Sequence, residues 1–398
     1  MGVSHPHRPM RDVAIVGAGL STFGERPESA KHLFNEAVLE ALGSVDRGLA
    51  LKDLEEAYVG SLGFGGGQLG NLAAYMMEQA GAAGVPARRV ENACASSGFA
   101  LRDAYLAVAS GACDVAIAGG IEKMNDLTGI HKRFWLGVSG DTEWERLAGL
   151  TFPGVYAMMA SRHFHEYGTT REHLAHVAVK NHAIGAKNPK AQFRREITLE
   201  KALAGPVVAQ PFTVFDCCST TDGASAVIIA SAEKARQLTD TPVWIRGSGA
   251  ATDYLAVHDR KSLTRLDATV KAGRTAFGRA GLTPRDVKVA EVHDCFTIAE
   301  LLAVEDLGFT EKGQGGPFTA SGATSRTGQV AVNPSGGLKA KGHPLGATGT
   351  AQAVEVFLQL RGQAGARQVQ GAETGLTHNV GGSGATCVVH VYSRSVSG

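Results

Sequence analysis

The sequence lacks an excess of either charge: 39 lysines and arginines stand against 38 aspartates and glutamates, a net of +1. Such a chain has no global electrostatic reason to bind nucleic acid or an acidic membrane surface. It lacks an apolar run long enough to cross a bilayer, which takes about 20 residues. Its start, Met1-Gly2-Val3-Ser4-His5-Pro6, lacks the apolar stretch of a secretory signal. Pro6 stands where N-myristoylation requires Ser or Thr, and the ending Ser395-Val396-Ser397-Gly398 is not a peroxisomal address. No C-x-x-C pair is present: cysteines 94, 113, 217, 218, 295 and 387 are scattered. That spacing excludes a small secreted disulfide framework and reads as free, mostly buried thiols of a reducing compartment. The expectation is a soluble, cytoplasmic protein with no membrane span.

What is present fits a large folded chain. Apolar residues make up 44% and charged residues 19%, so a sizeable core forms and disorder is excluded. Glycine reaches 51 residues, nearly double the usual share of about 7%. No every-third-residue period accompanies it, which excludes collagen and leaves tight turns and close backbone contacts. A length of 398 residues suggests two or three domains, or one large doubled domain.

A doubled chain is visible directly. Gly48-Leu49-Ala50-Leu51-Lys52-Asp53-Leu54-Glu55 has the pattern of Gly281-Leu282-Thr283-Pro284-Arg285-Asp286-Val287-Lys288. Each follows an Ala-rich helical stretch, 34–42 and 270–279, and each precedes a short apolar strand, 57–59 and 289–292. Upstream, Val13-Ala14-Ile15-Val16-Gly17 echoes Val243-Trp244-Ile245-Arg246-Gly247. Strands alternating with helices imply βαβ units and sheets covered on both faces, so the chain divides into halves at 1–240 and 241–398. The segment from about 121 to 222 differs: it is rich in His, Arg and aromatics, and Thr169-Thr170-Arg171-Glu172 opens a helix in the manner of a capping box. This reads as an excursion from the first half that covers the active site, with α/β pattern resuming in a strand at 224–230.

Four segments carry chemistry. Cys94, in Asn92-Ala93-Cys94-Ala95-Ser96-Ser97-Gly98, sits between a strand ending at Asn92 and a helix predicted over 96–110, closed by Gly111. The free N–H groups and dipole of a helix start stabilise a thiolate. His343, in Gly342-His343-Pro344-Leu345-Gly346-Ala347-Thr348-Gly349, precedes a helix predicted over 347–361, and a histidine near neutrality can take a thiol proton. His293 and Cys295, in His293-Asp294-Cys295-Phe296, follow a strand end, where open α/β sheets bind ligands. The glycines of His378-Asn379-Val380-Gly381-Gly382-Ser383-Gly384 read as a turn before a strand at 385–391, with backbone N–H groups suited to an oxyanion hole. Each also has a plain structural reading: Cys94 or Cys295 as a small core residue, His343 as a turn histidine.

Together, and in this order, the segments resemble the thiolase superfamily, most closely its HDCF branch, the sterol-carrier-protein-2-type thiolases. The resemblance runs from Val13 to Tyr392. It extends to Gly119-Gly120-Ile121-Glu122-Lys123-Met124, Asp216-Cys217-Cys218-Ser219-Thr220-Thr221-Asp222-Gly223-Ala224 and Asn333-Pro334-Ser335-Gly336-Gly337. It implies an α/β fold of five layers, α-β-α-β-α, built from two βαβαβαββ halves with a loop domain inserted in the first. It implies Cys94 as the acylated nucleophile and His343 as its activator. His343 and His293 would form one oxyanion hole, and the N–H groups of Cys94 and Gly381 a second. Many thiolases carry a second cysteine near the end of the chain; Asn379 stands there instead, supported by Gly382, and in the HDCF branch Cys295 takes over as acid/base. Acyl-CoA and CoA are then substrates, no cofactor is tightly bound, and a homodimer or tetramer is the expected assembly. Some relatives work with a small zinc-ribbon, OB-fold partner that channels acyl-CoA.

Rival readings share the fold. A ketosynthase makes its carbanion by decarboxylation and has no use for the Cys295 proton carrier, and an aldolase-like homologue tends to lose the nucleophile that Cys94 supplies. A binding or scaffold role leaves the catalytic set unexplained. Gly17-Ala18-Gly19 follows a strand, but Thr22 breaks the dinucleotide fingerprint. Histidines 163, 165, 173, 176 and 182 lack Cys or carboxylate at zinc-ligand spacing and are read as surface or loop residues, so no metal is expected.

Overall fold

The computed structural model describes residues 10–396; the readings at Met1–Pro6 and at the last two residues lie outside the described residues. The first half opens with β1 (Val13–Leu20), α1 (Ala30–Gly43), β2 (Glu56–Gly60), α2 (Leu72–Gln79), β3 (Ala87–Val90), α3 (Ser96–Ser110) and β4 (Val115–Glu122). An insertion follows with α4 (Gly129–Gly137), α5 (Phe152–Tyr167), α6 (Arg171–Gly185), α7 (Leu199–Leu203), β5 (Val207–Ala209) and β6 (Phe212–Thr213). The half closes with β7 (Gly223–Ser231) and α8 (Ala232–Leu238).

The second half repeats the plan. It holds β8 (Val243–Thr252), α9 (Asp267–Ala280), β9 (Val289–Glu291), α10 (Thr297–Asp306), α11 (Gly315–Ala320) and β10 (Ala331–Val332). Then come α12 (Gly337–Ala340), α13 (Thr348–Leu360), β11 (Thr374–Gly381) and β12 (Thr386–Ser393). Insertion aside, both halves read βαβαβαββ.

The strands lie in the order β3-β2-β4-β7-β1-β8-β12-β11-β9-β10. Each half uses its own strands as third, second, fourth, fifth, first, and the halves join where β1 meets β8 through Ala14–Trp244 and Ile15–Val243. The layering follows from the period-2 alternation of strand side chains. Val13 and Ile15 turn inward to a cluster with Ala104 of α3 and Phe357 of α13; Ala14 and Val16 turn outward to Leu33, Phe34 and Ala37 of α1. The second half has its own outer cluster, from Ala272 and Ala276 of α9 to Val389 of β12. The helices α3 and α13 thus form the middle of five layers.

The helices form where apolar positions fall at helical spacing. In α1 these are Leu33, Phe34, Ala37, Val38 and Ala41, behind an N-cap at Ser29 that accepts from the His32 N–H. The Gly-x-Gly of β1 is explained by packing: a Cβ at Gly17 or Gly19 would stand 2.5 and 2.2 Å from the Ala41 and Ala37 carbonyls of α1. Gly247 and Gly249 of β8 meet the Ala276 and Ala272 carbonyls of α9 at 2.1 Å in the same way. These glycines let a helix lie on a strand backbone in both halves.

Two local expectations differ from the structure. The capping box of α6 begins at Thr170, one residue later than expected, with the His173 side chain in the role of the acidic residue. His378 to Gly381 belong to β11, paired along β12, so the turn is confined to residues 382–385. Their central position makes the segment strand despite its glycines. Among the described residues, no helix is long and apolar enough to cross a membrane.

Candidate active site

Cys94 stands in a single 3-10 turn, Ala93–Ala95, between β3 and α3. The turn is tight enough to force Ala93 to φ 50°, a left-handed conformation that L residues rarely adopt. The Ser96 hydroxyl holds it, accepting from the Asn92 N–H and donating to the Ala93 carbonyl. Cys94 is half-buried against Leu62, Phe64, Met124 and Leu345, a cluster that Trp135, Leu136 and Val138 of the insertion also pack against. Burial pushes the Cys94 thiol up to about 12, against the pull of the Gly382 and Cys94 backbone amides. The helix-start thiolate expected from sequence is therefore not the resting form: loss of hydration outweighs the helix end.

The ring nitrogens of His293 and His343 and the Cys94 sulfur lie within 4.8 Å of one another. The two rings meet edge to face at 5.0 Å. Their protonation follows from their partners. Thr348 Oγ1 donates to the Pro344 carbonyl, so at 2.7 Å it accepts from His343 Nδ1, leaving a lone pair on His343 Nε2. Asn379 Nδ2 donates both its hydrogens, one to the Cys94 carbonyl at 3.0 Å and one to His293 Nδ1 at 3.2 Å, so His293 Nε2 carries the proton. Both Nε2 atoms are buried without a protein partner. Burial holds both rings neutral, His343 down to about 3 and His293 well below the usual imidazole range. One base and one donor thus flank one thiol. A metal would need two lone pairs and a thiolate, and this hydrogen-bond network supplies one lone pair and a thiol.

The strands and loops that carry these groups are anchored from below. The Glu122 carboxylate, at the end of β4, accepts from the N–H groups of Leu62, Gly63, Phe64 and Gly346, tying the His343 loop to the first half. The 292–296 loop is fixed at every residue. Val292 N–H donates to Asn333 Oδ1, and His293 N–H to His378 Nδ1. The Asp294 carboxylate accepts from Asn181 of α6 and the Leu338 N–H of α12. The Cys295 carbonyl accepts from Cys218 N–H at 2.9 Å, and Phe296 bridges to Cys217. At the centre, a Cβ at Gly349 would fall 2.2 Å from the Gly98 backbone N, so the starts of α3 and α13 touch.

Cys295 is buried and sits outside the Cys94–His293–His343 group, facing Cys218, Cys94 and Tyr156. Burial pushes its thiol well up. The Gly382 amide, next to the Gly381 implied by the resemblance, pulls the Cys94 thiol down together with the amide of Cys94 itself. Gly381 lies within β11 instead, its Cα packed on the Asn92 carbonyl. The insertion histidines lie on α5 and α6 and not in loops, and His163 and His182 are buried where surface residues were expected: His163 bonds Thr169 and Glu305, and His173 caps α6. Sequence reasoning missed Thr348 and Tyr156. Thr348 stood in a quoted motif without a role; nothing local marks Tyr156, whose partner Gly382 is 226 positions away.

Profiles described as Thiolase, N-terminal domain and Thiolase C-terminal domain-like match residues 13–233 and 249–394. The chain belongs to the thiolase family. It is 50% identical over 388 residues to an acetyl-CoA acetyltransferase of Methanothermobacter thermautotrophicus, covering 97% of this chain and 100% of that one. It is 36% identical to sterol carrier protein 2 of Homo sapiens, over 97% of this chain and 73% of that protein. Among solved structures, an Ltp2-ChsH2(DUF35) aldolase matches with a TM-score of 0.84 at 26% identity, over 96% of this chain and 98% of that one. Human mitochondrial 3-ketoacyl-CoA thiolase matches with a TM-score of 0.76 at 18% identity, over 98% and 100%. The thiolase is accordingly an acyl-transferring enzyme.

Proposed function

We propose that this thiolase cleaves 3-oxoacyl-CoA with CoA, or runs the reverse Claisen condensation, through an acyl-enzyme on Cys94. The observation that supports it best is the pair of opposite tautomers around that thiol. His343 Nε2 accepts the Cys94 proton as sulfur attacks the 3-oxo carbonyl. With the thiol near 12 and the imidazole near 3, the ion pair is not preformed, so proton transfer accompanies attack. The N–H groups of Cys94 and Gly382 stabilise the tetrahedral oxyanion. Its collapse breaks the C2–C3 bond and expels an acetyl-CoA enolate. The enolate oxygen meets donors from His293 Nε2 and protonated His343 Nε2, and Cys295 protonates its C2. CoA then gives its thiol proton to Cys295 and takes the shortened acyl group.

The test is thiolysis of acetoacetyl-CoA and of longer and 2-methyl-branched 3-oxoacyl-CoAs, followed by loss of the 3-oxo thioester absorbance. The expected result is CoA-dependent loss that vanishes in Cys94→Ala, together with the covalent acyl adduct. An adduct retained in that variant would sink the nucleophile assignment. A second reading is favoured by the likeness to an aldolase solved with a DUF35 protein: dependence on a small zinc-ribbon, OB-fold partner. No turnover by folded, isolated protein, restored by such a partner, would select it.

A further inference from the structure

His293 sits where the backbone leaves the sheet. β9 ends at Glu291, paired with Thr377 of β11, and the Asp294 N–H then closes a three-residue turn onto the Val292 carbonyl at 3.1 Å. The His293 N–H, at the apex of that turn, donates not to a ladder carbonyl but to the ring of His378, at Nδ1 and 3.3 Å. The His378 carbonyl is itself taken by Gln352 Nε2 at 3.0 Å. The ring bond fixes a tautomer: Nδ1 accepts, so Nε2 carries the proton and donates to Thr269 Oγ1 of α9 at 2.9 Å. Thr269 in turn donates to the Cys387 sulfur at 3.7 Å. All four side chains are buried.

Two neighbouring residues of β11 thus grip His293 from two sides. Successive strand residues point to opposite faces. His378 shares the face of Leu376 and Val380, toward α9; Asn379 lies on the other, against Gly98 of α3. His378 holds the main chain of His293, while Asn379 Nδ2 donates to its ring Nδ1 at 3.2 Å. One point on the backbone and one on the ring together set the direction of His293 Nε2. We propose that His378 is a positioning residue for the enolate step, aiming His293 Nε2 at the enolate oxygen through its hold on the His293 N–H. The proposal rests on the role given to His293 in that step.

The hold favours one of the two oxyanion holes. Attack by Cys94 uses the N–H groups of Cys94 and Gly382, and the His378 ring bonds neither. Without the ring, the His293 N–H is left buried with no acceptor, which is costly. The turn then shifts to recover a partner and carries the imidazole with it. Burial holds the His378 ring down to about 3, so Nδ1 remains an acceptor throughout the neutral range.

The test sets two amides against each other. The oxygen of His378→Asn falls where Nδ1 stands and keeps the acceptor for His293; the longer His378→Gln reaches Thr269 and loses that acceptor. Deuterium exchange into the methyl group of acetyl-CoA reads enolate formation; exchange of labelled CoA into acetyl-CoA reads acylation of Cys94. In His378→Gln the expected result is about a tenfold fall in deuterium exchange, the order of one buried hydrogen bond, with acyl exchange and KM within about twofold. His378→Asn should restore deuterium exchange to within about threefold of the parent. A purely structural role through Thr269 predicts the reverse order, and that order, equal loss in both variants, or equal loss of both activities would overturn the inference. Should His378→Gln fail to fold, Thr269→Val frees the ring to take the other tautomer and should likewise lower deuterium exchange alone; an unchanged rate there would reject the inference. If His293→Ala itself leaves deuterium exchange intact, the fault lies with the role of His293.

Discussion

At the scale of residues, the chemistry is set by which nitrogen holds which proton. Thr348 decides this for His343 and Asn379 for His293. Thr348→Val keeps the shape and removes the acceptor, so His343 is no longer held in the tautomer that the proposed mechanism uses to take the thiol proton. The expected outcome is a fall of about tenfold or more in kcat for thiolysis with little change in KM, since one buried hydrogen bond is worth about 1–2 kcal/mol and 1.4 kcal/mol is tenfold. Thr348→Ser should restore most of it, and steady-state kinetics of the three proteins would check both. The residues proposed to react were legible in the sequence, because Cys94, His293, Cys295 and His343 each sit in a short motif at a strand end or helix start. Their protonation states were not: Asn379 reaches His293 from 86 positions away, and Thr348, though in the same motif as His343, is marked by nothing local as its partner.

At the scale of elements, the site is where two helix starts collide. A Cβ at Gly349 would meet the Gly98 backbone N at 2.2 Å and Asn379 Oδ1 at 2.4 Å. Backbone cannot yield as a flexible side chain can. Gly349→Ala should therefore lower stability by about 3 kcal/mol and, by displacing Asn379, lower activity well below the unfolding temperature. Urea denaturation and an assay at low temperature would separate the effects; an unchanged unfolding midpoint would mean the helices can part freely. Helices α1, α3 and α9 were legible because caps and apolar stripes are local signals. β11 was misread because its glycines imitate a turn; only pairing with β12 and β9 makes them strand.

At the scale of the whole molecule, the price of this buried polar centre is sensitivity to acid. Burial holds His378 and His343 down to about 3, and His390 to about 4, from an ordinary 6.5. Below pH 6.5 the unfolded chain binds protons that the folded chain refuses, so this contribution to stability is complete above 6.5 and is lost as pH falls toward 3. Asp294, raised to about 7 from 3.8, acts in the opposite sense over 7 to 3.8. A difference measurement isolates one histidine: His378→Gln should lose about 2 kcal/mol less than the parent between pH 6.5 and 5. Urea midpoints at the two pH values test this, and equal losses would show that His378 titrates alike folded and unfolded. The duplication behind this architecture was legible, since two helix–turn–strand units share one pattern, with Gly, Leu and Asp at matching positions. How the insertion lies over Cys94 was not, because that depends on packing between remote segments.

The doubled plan also orders events in time. Cys94 belongs to the first half, while His293, Cys295, His343 and Gly382 all belong to the second. During synthesis the nucleophile emerges and folds before any of its proton partners has been made. A ribosome-bound first half therefore carries Cys94 without Leu345, which helps to bury it, and without either histidine beside it. The surroundings of that thiol are thus assembled by the half made last.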